Sequence, residues 1–214
     1  MEYKKHYLAE FFGTFLLILF ASGSAIINQR MVEIIPSLIP ALASGLAVWL
    51  LIQFFGRVSD CHINPAVTIC FFVSGAIPLR RAIFYILLQL LGSLAASLVL
   101  HILFPCLRDL GNTMPSGTWQ ESFVYEFMLS LFLIVVILVT TSLERFKPLA
   151  PFLIGLAVFF EILLAGDVCG ASMNPARSFG PAIVPGNVSF LWLYFAAPII
   201  GMLAGLFLFR FFKK

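Results

Sequence analysis

The sequence predicts an all-α membrane protein, with six transmembrane helices and two re-entrant half-helices arranged as an inverted repeat. Three observations lead there. Hydrophobic residues make up 61% of the 214-residue chain and charged residues 11%, against about 45–50% apolar and about 25% charged in an ordinary globular protein. Six apolar stretches are long enough to cross a bilayer. Asn-Pro-Ala occurs twice, each time opening an apolar stretch too short to span. A soluble fold of this size must clothe its exterior in polar groups, and this chain lacks them. Disordered, collagen-like and disulfide-scaffold classes are excluded on the same composition. A formal net charge of +3, without a basic and aromatic cluster, gives no support to a nucleic-acid partner.

A spanning helix needs roughly 20 apolar residues. The candidates are residues 8–27, 35–55, 82–104, 123–141, 149–165 and 190–211. The short stretches 64–73 and 174–184, at ~1.5 Å per residue, cover only about half the hydrocarbon thickness. They read as re-entrant half-helices. Lys4, Lys5 and His6 precede the first span, and residues 21–25 (ASGSA) look like a signal-peptide cleavage site. Retention is expected instead. Glu10 inside the span would be wasted in a discarded leader, and cleavage would leave an odd number of spans.

Positive charges orient the bundle. With both termini cytoplasmic, the inner loops and tails carry Lys4, Lys5, Arg57, Arg80, Arg81, Arg145, Lys147, Arg210, Lys213 and Lys214. The outer loops carry only Arg30 and Arg108, a strong positive-inside bias. Arg177 falls within the second half-helix and requires another explanation. Cys61, Cys70, Cys106 and Cys169 show neither Cys-x-x-Cys pairing nor a His partner at metal-ligand spacing. Cys70 reads as an apolar filler, and a Cys106–Cys169 bridge is the less favoured alternative to free thiols. No metal or cofactor site is expected. Asn187-Val-Ser189 matches the glycosylation pattern but hugs the membrane, so it is read as unused.

The halves repeat. His62-Ile-Asn-Pro-Ala-Val-Thr68 returns as Ser172-Met-Asn-Pro-Ala-Arg-Ser178, and each copy follows a Glu-bearing span, with Glu10 before Phe11 and Glu126 before Phe127. Three spans per half is an odd number, so residues 1–108 and 119–214 should form oppositely oriented halves of one channel-like domain. A single Asn-Pro-Ala would read as a turn before a helix. Two copies at matching places read as a solute path. Asn64 and Asn174 suit the N-cap, and Pro65 and Pro175 suit the first helical position. Once each Asn oxygen caps its own helix, its NH2 points forward, beside the positive dipole end of the half-helix.

These residues are similar to those of the aquaporin, or major intrinsic protein, family over essentially the full chain. The resemblance rests on Ala9-Glu-Phe-Phe-Gly-Thr14, residues 59–67, Gln89-Leu-Leu-Gly92, residues 170–182 and Pro198-Ile-Ile-Gly201. Residues 170–182 look closest to the plant nodulin-26-like branch and its bacterial relatives. The resemblance implies a passive channel rather than an enzyme, with one pore per protomer in a homotetramer, set in lipid of a plasma or bacterial inner membrane.

At the pore centre, formed by Asn64, Pro65, Ala66, Asn174, Pro175 and Ala176, the two amides should donate to each passing solute. A water molecule held by both donors cannot relay a proton, and the helix dipoles repel cations. Arg177 should project into the outer mouth, since an unpaired Arg is costly in lipid. Glu10 and Glu126 have two readings, a proton relay or acceptors for the backbone of the loop before each Asn. The structural reading is favoured, because that backbone must be satisfied by something. His62, at the cytoplasmic mouth, is read as a loop hydrogen-bonder before a gate. His101 is read as interfacial. Asp60 and Cys61 depart from the small residues the family has there, which would stiffen the loop and put a negative charge at the inner entrance.

By offset from the two Asn residues, the family's four constriction positions fall on Ser44, Ile162, Ala171 and Arg177. Water-selective members carry a bulky aromatic at the first and His at the second, both absent here. Ser178 replaces the Asp that follows Arg in typical glycerol channels. Glu161 lies about 100° around the helix from Ile162, so only one of the two should face the lumen. The expected cargo is water and small neutral solutes such as glycerol, urea or undissociated metalloid acids. The alternatives are a water-selective pore narrowed by Phe159 or Phe179, or an inverted-repeat secondary transporter. Against a transporter, the spans hold no acid–base pair for a coupling ion beyond Glu10, Glu126 and the unplaced Glu161. An enzyme lacks any nucleophile or metal pattern.

Overall fold

The computed structural model describes residues 3–29, 37–105, 107 and 109–213. Its elements are α1 (Lys4–Asn28), α2 (Leu38–Ser59), α3 (Pro65–Ser74), α4 (Leu79–Leu103), α5 (Trp119–Ser142), α6 (Ala150–Cys169), α7 (Pro175–Ile183) and α8 (Leu191–Phe212), with a 3-10 turn Lys147–Leu149 before α6. Six of these helices are long and apolar enough to cross a membrane. The outward faces carry large apolar side chains such as Phe54, Ile102, Leu164 and Phe207, which suits lipid as solvent. No strand occurs among the described residues.

Several helices run past one end of their apolar stretch, because backbone hydrogen bonding does not stop where hydropathy does. α1 begins at Lys4, and α6 continues through Asp167 to Cys169, where Gly170 takes the left-handed conformation (φ 84°) and ends it. The expected start of the second span at Ile35, along with Arg30, Cys106, Arg108 and Lys214, lies outside the described residues. Cys169 is a free buried thiol, as are Cys61 and Cys70.

The half-helices start as their sequence dictates. Asn64 is extended (φ −155°), and its side chain accepts from Ala66 N at 2.9 Å and Val67 N at 3.4 Å. Asn174 (φ −147°) accepts from Ala176 N at 2.9 Å. Pro65 and Pro175 occupy the first turn, where an N–H is not needed.

Packing places the two half-helices between the spans. α1 lies against α2 and α4, and α5 against α6 and α8. α3 packs on α8, and α7 packs on α4, so each half-helix is held by the other half of the chain. α2 and α6 meet backbone to backbone. A Cβ on Gly45 would stand 2.8 Å from Gly155 O, and one on Gly155 would stand 2.6 Å from Gly45 O. Gly92 of α4 and Gly201 of α8 abut Phe11 O and Phe127 O in the same way.

One end of the bundle gathers the N-terminal turn and the ends of α2 and α3. Arg81 Nη2 reaches His6 Nδ1 at 3.0 Å and Asp60 Oδ2 at 3.3 Å, while Arg210 Nη2 donates to Ser74 O at 2.9 Å. At the other end, Gln29 bonds Asp109 at 3.3 Å and Ser37 bonds Asp167 at 2.6 Å.

Candidate functional site: a lumen between two capped half-helices

A cavity of about 610 Å³ runs from Arg57, Asp60 and Lys147 at one end, past Asn64 and Asn174, to Ser44, Ile162, Ala171 and Arg177. The four candidate constriction residues therefore share one lumen wall with both amides. Arg177 Nη1 donates to Gly111 O at 2.7 Å, which pins the guanidinium to the loop before α5. Ser178 Oγ, one residue on, bonds Thr113 Oγ1 at 2.6 Å and Ser172 Oγ at 2.7 Å.

Pro65, Ala66, Pro175 and Ala176 do not line the cavity. They are buried behind it, where Ser93 Oγ donates to Ala176 O. The amides of Asn64 and Asn174 do not simply point forward either. Asn64 Nδ2 donates to Met173 O at 2.9 Å, and Asn174 Nδ2 donates to Ile63 O at 2.9 Å. Each NH2 carries two hydrogens, so one fastens the opposite loop and the other is left for the lumen.

The loops before each Asn are forced into an unusual path. Cys61 (φ 50°) and Ile63 (φ 43°) precede Asn64, while Ala171 (φ 40°) and Met173 (φ 48°) precede Asn174. Left-handed conformations cost non-glycine residues about 1–2 kcal/mol each, so the surroundings must hold them. Glu10 does so in the first loop. Its Oε1 accepts from Ser59 Oγ (2.9 Å) and His62 N (2.9 Å), and its Oε2 from Ile63 N (2.7 Å) and Gln89 Nε2 (2.8 Å). Glu126 accepts from Ser172 N at 2.7 Å and Met173 N at 2.8 Å. Neither carboxylate lines the lumen, as a loop support requires and a relay for the passing solute would not.

His62 is buried, bonded at Nδ1 to Thr68 Oγ1 (3.2 Å) and stacked on Phe71 with ring centroids 4.9 Å apart. It borders the lumen as a fixed part of its wall. Asp60 takes a positive φ of 64°, ends α2 and pairs with Arg81 at 3.3 Å, so its charge at the entrance is partly compensated. Ile162, not Glu161, faces the lumen. Glu161 is buried, and neither of its oxygens has a partner among the described residues. Phe159 packs on Gly45 and Phe179 on Phe195, and neither narrows the cavity.

Sequence reasoning missed Gln89 as a donor to Glu10, although an amide alone in an apolar helix is itself a signal of a buried partner. It also missed Tyr85 and Tyr194, whose hydroxyls donate to Ser59 O (2.9 Å) and Cys169 O (2.8 Å) at the ends of α2 and α6.

Residues 1–209 match the major intrinsic protein family. Nodulin-26 of Glycine max is 38% identical over 200 residues, covering 92% of this chain and 74% of its own length. Aquaporin NIP1-1 of Zea mays is likewise 38% identical over 200 residues, covering 92% and 71%. The X-ray structure of the aquaglyceroporin from Plasmodium falciparum superposes with a TM-score of 0.86 at 23% identity, covering 99% of this chain and 96% of that one. This likeness shows the fold. Family match and relatives together place the chain in the major intrinsic protein (aquaporin) family, as a membrane channel for water and small neutral solutes rather than an enzyme.

Proposed function

We propose that solutes larger than water, such as glycerol, urea and undissociated metalloid acids, pass through this lumen, and that Ser44, Ile162, Ala171 and Arg177 form its filter. The carrying observation is that Ser44, Ala171 and Ile162, which line the cavity together with Arg177, bring a hydroxymethyl, a methyl and a sec-butyl side chain, none of them a ring. Such a wall favours hydroxylated neutral molecules that hydrogen-bond to Arg177. It penalises ions, which would have to shed their hydration against apolar groups. Asn64 and Asn174 act as the central donors, Glu10 and Glu126 as supports of the loops.

The same reading treats the chain as one channel domain with halves 1–108 and 119–214, assembled as a homotetramer in a cell membrane with both termini cytoplasmic. Support for the orientation comes from the end that gathers His6, Arg57, Arg81, Lys147 and Arg210. Reconstituted vesicles under separate impermeant, glycerol and boric acid gradients test the solute reading. Shrinkage followed by re-swelling faster than protein-free controls is expected. Shrinkage without faster re-swelling leaves a water-selective pore.

A further inference from the structure

Four positions after each Asn stands a hydroxyl, Thr68 in one half-helix and Ser178 in the other, and each bonds the loop residue two positions before that Asn. Thr68 Oγ1 lies 3.2 Å from His62 Nδ1, and Ser178 Oγ lies 2.7 Å from Ser172 Oγ. Beyond this the halves part. Thr68 Oγ1 accepts from Gln89 Nε2 of α4 at 2.9 Å. Gln89 stands three residues before Gly92, which abuts Phe11 O. The same count back from Gly201, which abuts Phe127 O, gives Pro198, a residue without a donor. Ser178 instead meets Thr113, which comes from the loop between the halves, at 2.6 Å.

A hydroxyl has one hydrogen, and this fixes the direction of the chain. The carbonyl of Asn174 can only accept, so the Ser172 hydroxyl donates to it at 2.9 Å. Ser178 must then donate to Ser172, and Thr113 to Ser178. Thr113 and Ser178 are buried behind the lumen wall, where a hydroxyl that loses its partner has no bulk water to replace it.

Thr113 is two residues from Gly111, whose carbonyl oxygen accepts from Arg177 Nη1 at 2.7 Å. Gly111 turns through a left-handed backbone (φ 66°), and a Cβ on it would stand 2.6 Å from Ser22 O. Other bonds fasten this loop to its surroundings, Asn112 Nδ2 to Asn187 O at 3.2 Å and Ser116 N to Val168 O at 3.1 Å. Neither partner belongs to α7. Among the described residues, the Thr113–Ser178 bond is the one hydrogen bond besides Arg177–Gly111 that ties the loop to α7. Arg177 and its acceptor are thus held in register by a second bond, one residue on in the half-helix and two residues on in the loop.

We propose that Thr113 is a positioning residue for selectivity. Acting through Ser178, it sets where Gly111 O lies, and so where Arg177 presents its remaining N–H groups to the lumen. Thr113 itself touches no solute. The proposal rests on the reading of Arg177 as part of the filter. Without the Thr113 hydroxyl, the guanidinium loses its fixed hold. Glycerol needs a donor at a set place while its carbons slide along an apolar wall, so it suffers more than water, which bonds in any orientation.

Flux measurements and NMR on the full-length protein in lipid bilayers test it together. Thr113→Val keeps the shape and removes the hydroxyl, whereas Thr113→Ser keeps the hydroxyl. The ratio of glycerol to water flux should fall at least about twofold in Thr113→Val, the smallest effect expected within one hydrogen-bonded network. Thr113→Ser should restore it. Ser178→Ala should act like Thr113→Val and add nothing to it in the double variant; it also serves alone should Thr113→Val not fold. Solid-state NMR of the arginine side-chain nitrogens reads the placement directly. The signal that vanishes in Arg177→Lys should move or broaden in Thr113→Val and stay in place in Thr113→Ser. An unmoved signal in Thr113→Val overturns the proposal, as do additive effects of the two changes or a Thr113→Ser variant that behaves like Thr113→Val. A flux ratio that responds to Arg177→Lys but not to Thr113→Val overturns it as well. If Arg177→Lys leaves the ratio untouched, the filter reading fails, while a moved signal still supports Thr113 as the residue that places Arg177.

Discussion

Asn64 donates through Nδ2 to the carbonyl oxygen of Met173 at 2.9 Å, which ties the cap of one half-helix to the loop leading into the other. Asn174 returns the bond to Ile63 O at 2.9 Å. Each amide thus has three tasks: capping its own helix, fastening the opposite loop, and offering its second hydrogen to the lumen. A residue with both an acceptor and two donors is the smallest that performs all three.

Replacing Asn64 or Asn174 by Asp keeps the cap but removes the cross-bond and adds negative charge at mid-membrane. Cation or proton leak should rise, read with a pH-sensitive dye in vesicles. Stability should fall by about 1–3 kcal/mol, because Asp presents an acceptor to the carbonyl of Met173 or Ile63. Unaltered leak in both variants would remove the central-donor account.

Glu10→Gln and Glu126→Gln should lower folded yield and melting temperature while leaving the ranking of solutes intact. The first should suffer more. The Glu10 carboxylate meets four donors, so an amide there must turn its NH2 towards at least one of them, at a cost of about 1–3 kcal/mol. Thermal melts in detergent give the stability and stopped-flow scattering gives the ranking. A pH-dependent flux abolished by either change would point instead to proton coupling.

The filter is tested by Ser44→Phe combined with Ile162→His, which puts an aromatic ring and an imidazole at two positions that line the cavity with Arg177. Glycerol or boric acid flux should fall far more than water flux, at least about tenfold if the lost passage costs the channel about 1.4 kcal/mol of barrier. Equal reduction of both fluxes would place the constriction elsewhere.

Gly45→Ala and Gly155→Ala probe the α2–α6 contact. An added methyl at Gly45 would meet Phe159 Cβ at 2.7 Å and Gly155 O at 2.8 Å, and one at Gly155 would meet Gly45 O at 2.6 Å. Backbone cannot yield there without parting the helices. Each change should destabilise by about 1–3 kcal/mol and, because Ser44 and Ile162 ride on these helices, alter the ratio of glycerol to water flux. Melting curves with the same two flux assays provide the check.

Most of the fold is legible in the chain because its causes are local. Apolar runs define the spans, Pro65 and Pro175 mark first turns, and Asn64 and Asn174 cap them through bonds to residues two and three positions on. The candidate site is legible only in part. That Arg177 and Ile162 border the lumen agrees with the offsets from Asn174 that the family resemblance supplies, yet the burial of Pro65, Ala66, Pro175 and Ala176 behind the lumen is not legible, since a motif does not say which of its members reach the cavity. Gln89 is visible as an isolated amide in α4, but that it serves Glu10, 79 positions away, is not.

By itself the sequence determined the membrane class, the six spans, the two half-helices and the chemistry at their starts, because helix hydrogen bonding and hydropathy act within a few residues or one turn. Tertiary structure alone decided that Ile162 and not Glu161 faces the lumen, that each Asn binds the carbonyl of the opposite loop, and that Glu10 gathers Ser59 and Gln89 beside its two backbone N–H groups while Glu126 holds Ser172 N and Met173 N. Those outcomes join residues 46 to 111 positions apart. They depend on how closely α2 meets α6 and how α3 and α7 seat on the partner half, which follows from the packing of whole helices and from no local stretch of chain.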